Sequence, residues 1–227
     1  MIFVSVRPPK LARPNWVWCV TGHPARRQCG APFFARFPTL LDSRWLRQFN
    51  ARVPLDKLTI IGAGLLGGSI GLAARARGLA RRVSALVRRP ESLAERQALG
   101  IANEVTLAPA EAVAGADLVV LCTPISGMAG LAKRTLSDLK PGAVITDVGS
   151  TKQQLVAELT PLCAGAGARF VGSHPMAGSE QTGPSAARAD LFDGTVCVVT
   201  PTADTHADAL AAVNDFWAGL GSRTVAM

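Results

Sequence analysis

The chain has 227 residues, of which 48% are hydrophobic, and its formal net charge is +8. A chain of this length can bury one sizeable core, so we expect one principal domain. No apolar run approaches the roughly 18 residues of a membrane span, which predicts a soluble, cytoplasmic protein. The basic excess lies in residues 1–57, with ten Lys and Arg against two Asp and Glu, while the rest of the chain carries fourteen of each. Most of the chain therefore has no electrostatic bias towards nucleic acid.

The first 56 residues are interpreted as a weakly structured extension, because they are rich in Arg and Pro and lack sustained periodicity. An organelle-targeting peptide is one alternative, which the prolines disfavour, and an upstream start-site artefact is another. Cys19, His23 and Cys29 lie close together here. No second close pair completes a set of four ligands, so no metal site is expected.

From Leu58 onward, strand-like and helix-like segments alternate. Because parallel strands need helical crossovers, this alternation predicts a doubly wound, mostly parallel α/β sheet, Rossmann-like, over residues 57–227. Ligands of such a sheet bind beyond the carboxyl ends of its strands. In chain order the pattern predicts strand 58–62, helix 65–78, strand 82–88, helix 90–100, a short segment 104–107, strand 116–124, helix 128–139, strand 143–150, helix 150–162, strands 168–175 and 194–200, helix 204–221 and strand 222–227.

A glycine-rich turn follows the first predicted strand. Gly62, Gly64 and Gly67 have G-x-G-x-x-G spacing between a strand and a helix, the context of a dinucleotide-binding turn. The amino terminus of the helix, with Leu65 and Leu66, would offer free N–H groups to a pyrophosphate. The alternative is that the glycines serve packing alone.

The second predicted strand ends in two arginines. NAD-binding domains carry an acidic residue about 20 positions past the glycines, and Arg88 and Arg89 stand there instead. Guanidinium groups bind a phosphate bidentately, so the pair favours NADP, with NAD possible. The alternative is that both arginines are merely solvated.

The stretch GSHPMAGSEQTG, residues 172–183, is predicted as a loop after a strand. A neutral imidazole accepts a proton near pH 7, so His174 suits proton chemistry on a small substrate, with Pro175 stiffening the backbone. From the residues alone, a structural histidine is as plausible as a catalytic one.

Three motifs, GAGLLGGSIG, DVGSTK and GSHPMAGSEQTG, together resemble the prephenate/arogenate dehydrogenase family of tyrosine biosynthesis over about residues 57–227. The resemblance implies NADP-linked oxidative decarboxylation of prephenate to 4-hydroxyphenylpyruvate, or of arogenate to tyrosine. It also implies a small-molecule substrate and, for full-length relatives, a homodimer.

The resemblance implies roles for particular residues. His174 would be the base or hydrogen-bond acceptor, and Ser150 would orient histidine and nicotinamide, with a helix N-cap as its alternative. Lys152 would face a substrate carboxylate unless it is simply solvated. The remaining implied positions are Ser179 and Glu180 for substrate recognition, and Thr123 and Pro124 beside the nicotinamide.

Relatives continue into a helical domain that makes the dimer and contributes an arginine to the substrate carboxylate, and no such domain is visible before Met227. A non-catalytic NADP-binding fragment is therefore an alternative to an active enzyme. A third possibility is a dehydrogenase of 3-hydroxyacid type. That type would carry a catalytic lysine motif on a later helix, which we do not find.

Overall fold

The computed structural model describes residues 54–227, and the whole predicted domain lies within them. Its eight strands are β1 Leu55–Ile61, β2 Ala80–Leu86, β3 Glu104–Thr106, β4 Leu118–Leu121, β5 Val144–Asp147, β6 Arg169–Pro175, β7 Val196–Thr200 and β8 Arg223–Ala226. The described α-helices are α1 Leu65–Ala76, α2 Glu91–Ala98, α3 Pro109–Val113, α4 Ile125–Thr135, α5 Gln153–Gly165 and α6 Ala207–Gly219. Short 3-10 helices cover Leu136–Asp138 and Pro184–Ala186.

The strands form one sheet in the order β3-β2-β1-β4-β5-β6-β7-β8. Every neighbouring pair is parallel except β6 and β7, which run antiparallel. The first six strands thus have the order of a Rossmann fold. The predicted doubly wound, mostly parallel sheet is confirmed.

Helices cover both faces of the sheet, because the central strands are apolar on both sides. On one face, Ile70 of α1 and Trp217 of α6 pack with Leu58, and each is completely buried. On the other face, Met128 of α4 and Leu159 of α5 are equally buried. This packing fixes the ends of the strands, where the candidate site lies.

Several elements differ from the sequence prediction. Helix α3 was not predicted, although Pro109 at its first turn is a typical start signal. Helix α5 continues through Pro161 to Gly165, because Leu159 and Cys163 on either side of the proline are held against the sheet. The predicted strand 168–175 is confirmed as β6 and contains His174, so the overlapping loop prediction for residues 172–183 is wrong as far as Pro175, because β7 pairs with the strand up to that residue.

The start of the domain also differs, because β1 begins at Leu55, two residues before the predicted boundary. The remainder of the predicted extension, including Cys19, His23 and Cys29, lies outside the described residues. None of the helices within residues 54–227 combines the length and the apolar character that crossing a membrane requires.

Candidate active site

The carboxyl ends of β1, β4, β5 and β6 lie at one edge of the sheet, because these strands are parallel neighbours. The strand order reverses between β1 and β4. A reversal of this kind opens a crevice at the carboxyl edge, where doubly wound sheets bind ligands. Every candidate residue lies after or near the end of a strand at this edge.

The turn between β1 and α1 needs glycine at two of its three glycine positions, because its backbone leaves no room there for a Cβ atom. Gly62 has φ +99°, and a Cβ there would lie 2.8 Å from the Cys122 carbonyl oxygen. A Cβ on Gly67 would overlap the carbonyl oxygen of Gly62. At Gly64, by contrast, a Cβ would meet nothing within 4 Å. Packing therefore explains Gly62 and Gly67, and the open backbone at Gly64 leaves room for a ligand.

A cleft of about 680 Å³ opens beside the glycine turn, a size typical of small-molecule sites. We call it the arginine cleft, because Arg88, Arg89, Arg96 and Arg134 line it and no Asp or Glu of the described residues does. Gly62, Gly64, Thr123 and Pro124 also line it. Leu65, Leu66 and Gly67 do not, and the two leucine side chains pack against the core instead.

Two of the four arginines were missed by the sequence analysis. The Arg96 Nε of α2 donates to the Ala63 carbonyl oxygen at 3.3 Å, tying that helix to the glycine turn, and Arg96 also pairs with Glu95. Arg134 is at the end of α4. The sequence did contain a signal for Arg134. Gly127 lies three residues after Pro124, and Arg134 lies seven residues, about two helical turns, after Gly127, so the three positions share one helix face.

The second part of the site is buried beneath the ends of β5 and β6. We call it the Asp147 cluster, and it consists of Thr146, Asp147, Lys152, Ser173 and Trp217. The Lys152 ammonium forms an ion pair with Asp147, which is completely buried, and donates to the Ser173 carbonyl oxygen at 2.9 Å. The predicted substrate contact, Lys152, thus has two partners within the protein.

His174 lies directly after Ser173 and is half-buried at the carboxyl edge. Its imidazole forms no hydrogen bond with any residue in the described part of the chain. Burial lowers the pKa of His174, and the nearby Lys152 ammonium lowers it further, while the Asp147 carboxylate partly opposes both. The ring is therefore neutral, and free to accept a proton, over a wider pH range than an ordinary histidine.

The other predicted substrate residues are exposed. Ser150 lies between β5 and α5, and its alternative as an N-cap is wrong, because α5 begins at Gln153 with Lys152 at the N-cap position. The Ser179 Oγ accepts a hydrogen bond from the Gln181 N–H at 3.1 Å. Glu180 lies beside it, also exposed.

The chain beyond His174 returns to the helix of the glycine turn. The Arg188 N–H donates to the buried Ser69 Oγ of α1 at 3.0 Å. Ala187 also faces α1, and a Cβ on Gly68 would lie 2.8 Å from the Ala187 Cβ. The chain that follows β6 is therefore packed against the helix that begins at the glycine turn.

Together the sheet order, the glycine turn and the arginine cleft are the features of a dinucleotide-binding α/β domain. The family model described as prephenate dehydrogenase, nucleotide-binding domain, matches residues 70–226. The chain therefore belongs to the prephenate dehydrogenase family.

Relatives and solved structures agree with this assignment. The cyclohexadienyl dehydrogenase of Zymomonas mobilis is 36% identical over 166 residues, which cover 73% of this chain and 56% of that protein. The prephenate dehydrogenase of Aquifex aeolicus, solved with hydroxyphenyl propionate and NAD+, has a TM-score of 0.72 and 30% identity, covering 78% of this chain and 61% of that one. Synechocystis arogenate dehydrogenase gives a TM-score of 0.70 and 27% identity, with coverages of 75% and 59%. The chain thus spans little more than half the length of these proteins.

Proposed function

We propose that the chain binds NADP and takes part in the oxidative decarboxylation of prephenate to 4-hydroxyphenylpyruvate, or of arogenate to tyrosine. The observation that carries this proposal is the arrangement of one sheet edge. A glycine turn with an open backbone at Gly64 and an arginine cleft lined by no Asp or Glu from residues 54–227 share that edge with the half-buried His174.

The charge of the arginine cleft supports NADP over NAD. A 2′-phosphate adds negative charge near the end of β2, where Arg88 and Arg89 are exposed and form no ion pair with any residue from 54 to 227. Guanidinium groups bind phosphate through two parallel hydrogen bonds, whereas a carboxylate would repel it. NAD is the second candidate, since the Aquifex relative was solved with NAD+.

The reaction requires orientation of the substrate and removal of one proton. Bound NADP would accept hydride from the carbinol carbon of the ring. His174 would accept the hydroxyl proton, a role for which its lowered pKa keeps the imidazole neutral. The resulting dienone places the carboxylate vinylogously β to a ketone, so carbon dioxide leaves and the ring becomes aromatic. No covalent bond to the protein is needed.

The remaining roles are proposals of the same kind. Ser150, exposed between β5 and α5, would orient the histidine and the nicotinamide. Thr123 has a buried hydroxyl oxygen without a hydrogen-bond partner in the described residues, which suits a polar contact beside Pro124. Lys152 retains a third N–H after its two contacts, which would serve a substrate carboxylate. Ser179 and Glu180 would contact the substrate from the exposed segment that follows β6.

The test is turnover of prephenate and arogenate by the full 227-residue chain, followed through formation of reduced nicotinamide. We expect product with NADP and a lower kcat/KM with NAD. A second candidate function is nucleotide binding without turnover, because the family model that matches residues 70–226 describes a nucleotide-binding domain. Calorimetric binding of NADP with no product from either substrate would support that second function. Absence of both binding and turnover would contradict the proposal.

A further inference from the structure

The backbone ladder between β5 and β6 ends before His174 is reached. Its last pair is Thr146 with Val171, three residues short of the histidine. From Gly172 onward β6 pairs with β7 on its other side, and His174 lies opposite Val198. Side chains must therefore hold the end of β6 against β5.

Asp147 takes over this role. It is completely buried, and its carboxylate accepts hydrogen bonds from the Gly149 N–H at 2.8 Å and the Ser173 N–H at 3.1 Å. The first bond shapes the segment that leads to Ser150, and the second fixes the residue before His174. One carboxylate thus joins the two segments that carry the proposed catalytic groups.

Lys152 also holds the end of β6 against β5, through the carbonyl group of Ser173. Its side chain is 13% exposed, and its ammonium contacts both Asp147 and the Ser173 carbonyl oxygen. Both backbone polar groups of Ser173 are therefore occupied by this ion pair. The Ser173 side chain is fixed as well, because its Oγ donates to the Asp147 carbonyl at 2.6 Å and accepts from the Trp217 indole N–H at 3.0 Å.

Three titratable groups act on or beside the imidazole. Asp147 acts from the last residue of β5 and Lys152 from the segment after it, while Cys197 lies on β7, the strand paired with the end of β6. Burial raises the pKa of Cys197 to about 12, so this thiol is uncharged. The charges near His174 are thus the two members of the ion pair, and the ammonium has the larger effect.

We propose that Asp147 and Lys152 are positioning residues for His174: the pair fixes the backbone before the histidine and places a positive charge where it disfavours the imidazolium ion. This inference rests on the proposed role of His174 as the base. It assigns the pair an electrostatic task beyond holding two strands together. A purely structural pair would leave the titration of His174 unchanged.

The experiment is an NMR titration of the His174 ring in the 227-residue chain, which needs neither substrate nor turnover. In Lys152→Met we expect the midpoint to move upward, because removing the ammonium relieves its repulsion of the imidazolium. Lys133→Met, at an exposed position of α4, changes the net charge equally and should leave the midpoint unchanged. The indole N–H resonance of Trp217 reports whether the cluster is still folded.

A midpoint in Lys152→Met that is unchanged or lower, with the Trp217 resonance retained, would overturn the proposal. If that variant loses the resonance, Asp147→Asn/Lys152→Met decides, because it removes both buried charges together. An upward midpoint in the double variant supports the proposal, since the lysine has the larger effect, and an unchanged one overturns it. Loss of the folded cluster in both variants would show a structural role alone and would also overturn it. Because no turnover is measured, a failed activity assay would leave this result intact.

Discussion

The arginine cleft and the Asp147 cluster lie at the same edge of the sheet but differ in the exposure and pairing of their charged side chains. In the cleft, Arg88, Arg89 and Arg134 are exposed, and none pairs with a carboxylate in residues 54–227. In the cluster, Asp147 is completely buried and the Lys152 side chain is mostly buried, and the two are paired with each other and hydrogen-bonded to Ser173. Exposed unpaired charges are available to a ligand, whereas buried paired charges fix geometry. On the proposed function, the arginine cleft would therefore serve nucleotide binding, and the Asp147 cluster would serve positioning.

The largest expected effect concerns His174, which directly follows Ser173 of the Asp147 cluster. His174→Asn should lower kcat by about 100-fold or more, because loss of a general base costs on the order of 10² to 10⁴ in rate. The affinity for NADP should stay within about twofold, because His174 does not line the arginine cleft. Steady-state kinetics and calorimetry measure the two quantities. A large loss of NADP affinity would contradict the separation of roles.

Next in size is the stability effect of breaking the buried pair. Asp147→Asn leaves the Lys152 ammonium buried without its counter-ion, which should cost about 3–5 kcal/mol of unfolding free energy. Asp56→Asn is the matched control, because its pair with Arg81 is exposed by 64% and 67% and should contribute less than about 1 kcal/mol. Urea unfolding measures both. Equal losses in the two variants would show that burial does not distinguish the pairs.

A smaller effect is expected in the arginine cleft. Arg89→Ala and Arg134→Ala should each weaken NADP binding by about tenfold or more, since a hydrogen bond to a charged group contributes roughly 1.5–3 kcal/mol. Binding of NAD should change less for Arg89, whose proposed partner is the 2′-phosphate. Arg223→Ala is the control, because this exposed arginine lies on β8 at the far end of the sheet. Calorimetry with both nucleotides would decide, and parallel losses for NADP and NAD at Arg89 would argue against the assignment.

The sequence predicted the cleft in part because local patterns determine that part. A turn with the geometry of Gly62 and Gly67 admits no Cβ, so its spacing is readable in the chain. Arg96 could not be placed in the same way, and for Arg134 the helical spacing after Pro124 and Gly127 indicated only a shared helix face. They reach the cleft from α2 and α4, and their direction depends on how those helices pack against the sheet.

The Asp147 cluster was missed for a different reason. Asp147 ends the apolar segment VITD, and a sequence does not show whether such a carboxylate faces water or the interior. The signal available was a charged residue inside a predicted buried strand with a lysine five positions later. Trp217 joins the cluster from α6, 70 residues away from Asp147, and only the packed fold brings them together.

The smallest expected effect is a change in the pH dependence of stability. Burial and Lys152 lower the pKa of His174 below its ordinary value of 6.5. At pH values between the lowered pKa and 6.5, the unfolded chain therefore binds more protons than the folded chain. The free energy of unfolding should therefore rise as the pH increases through this range. The stabilisation gained in this way should be lost as the pH falls through the pKa of the folded state. His174→Gln should flatten this part of the curve, and His206→Gln, at an exposed position before α6, should preserve it. Parallel curves for wild type and His174→Gln in urea unfolding from pH 5 to 8 would mean that His174 titrates alike in both states. The electrostatic influence of the Asp147 cluster on the histidine would then be too weak to prepare a base.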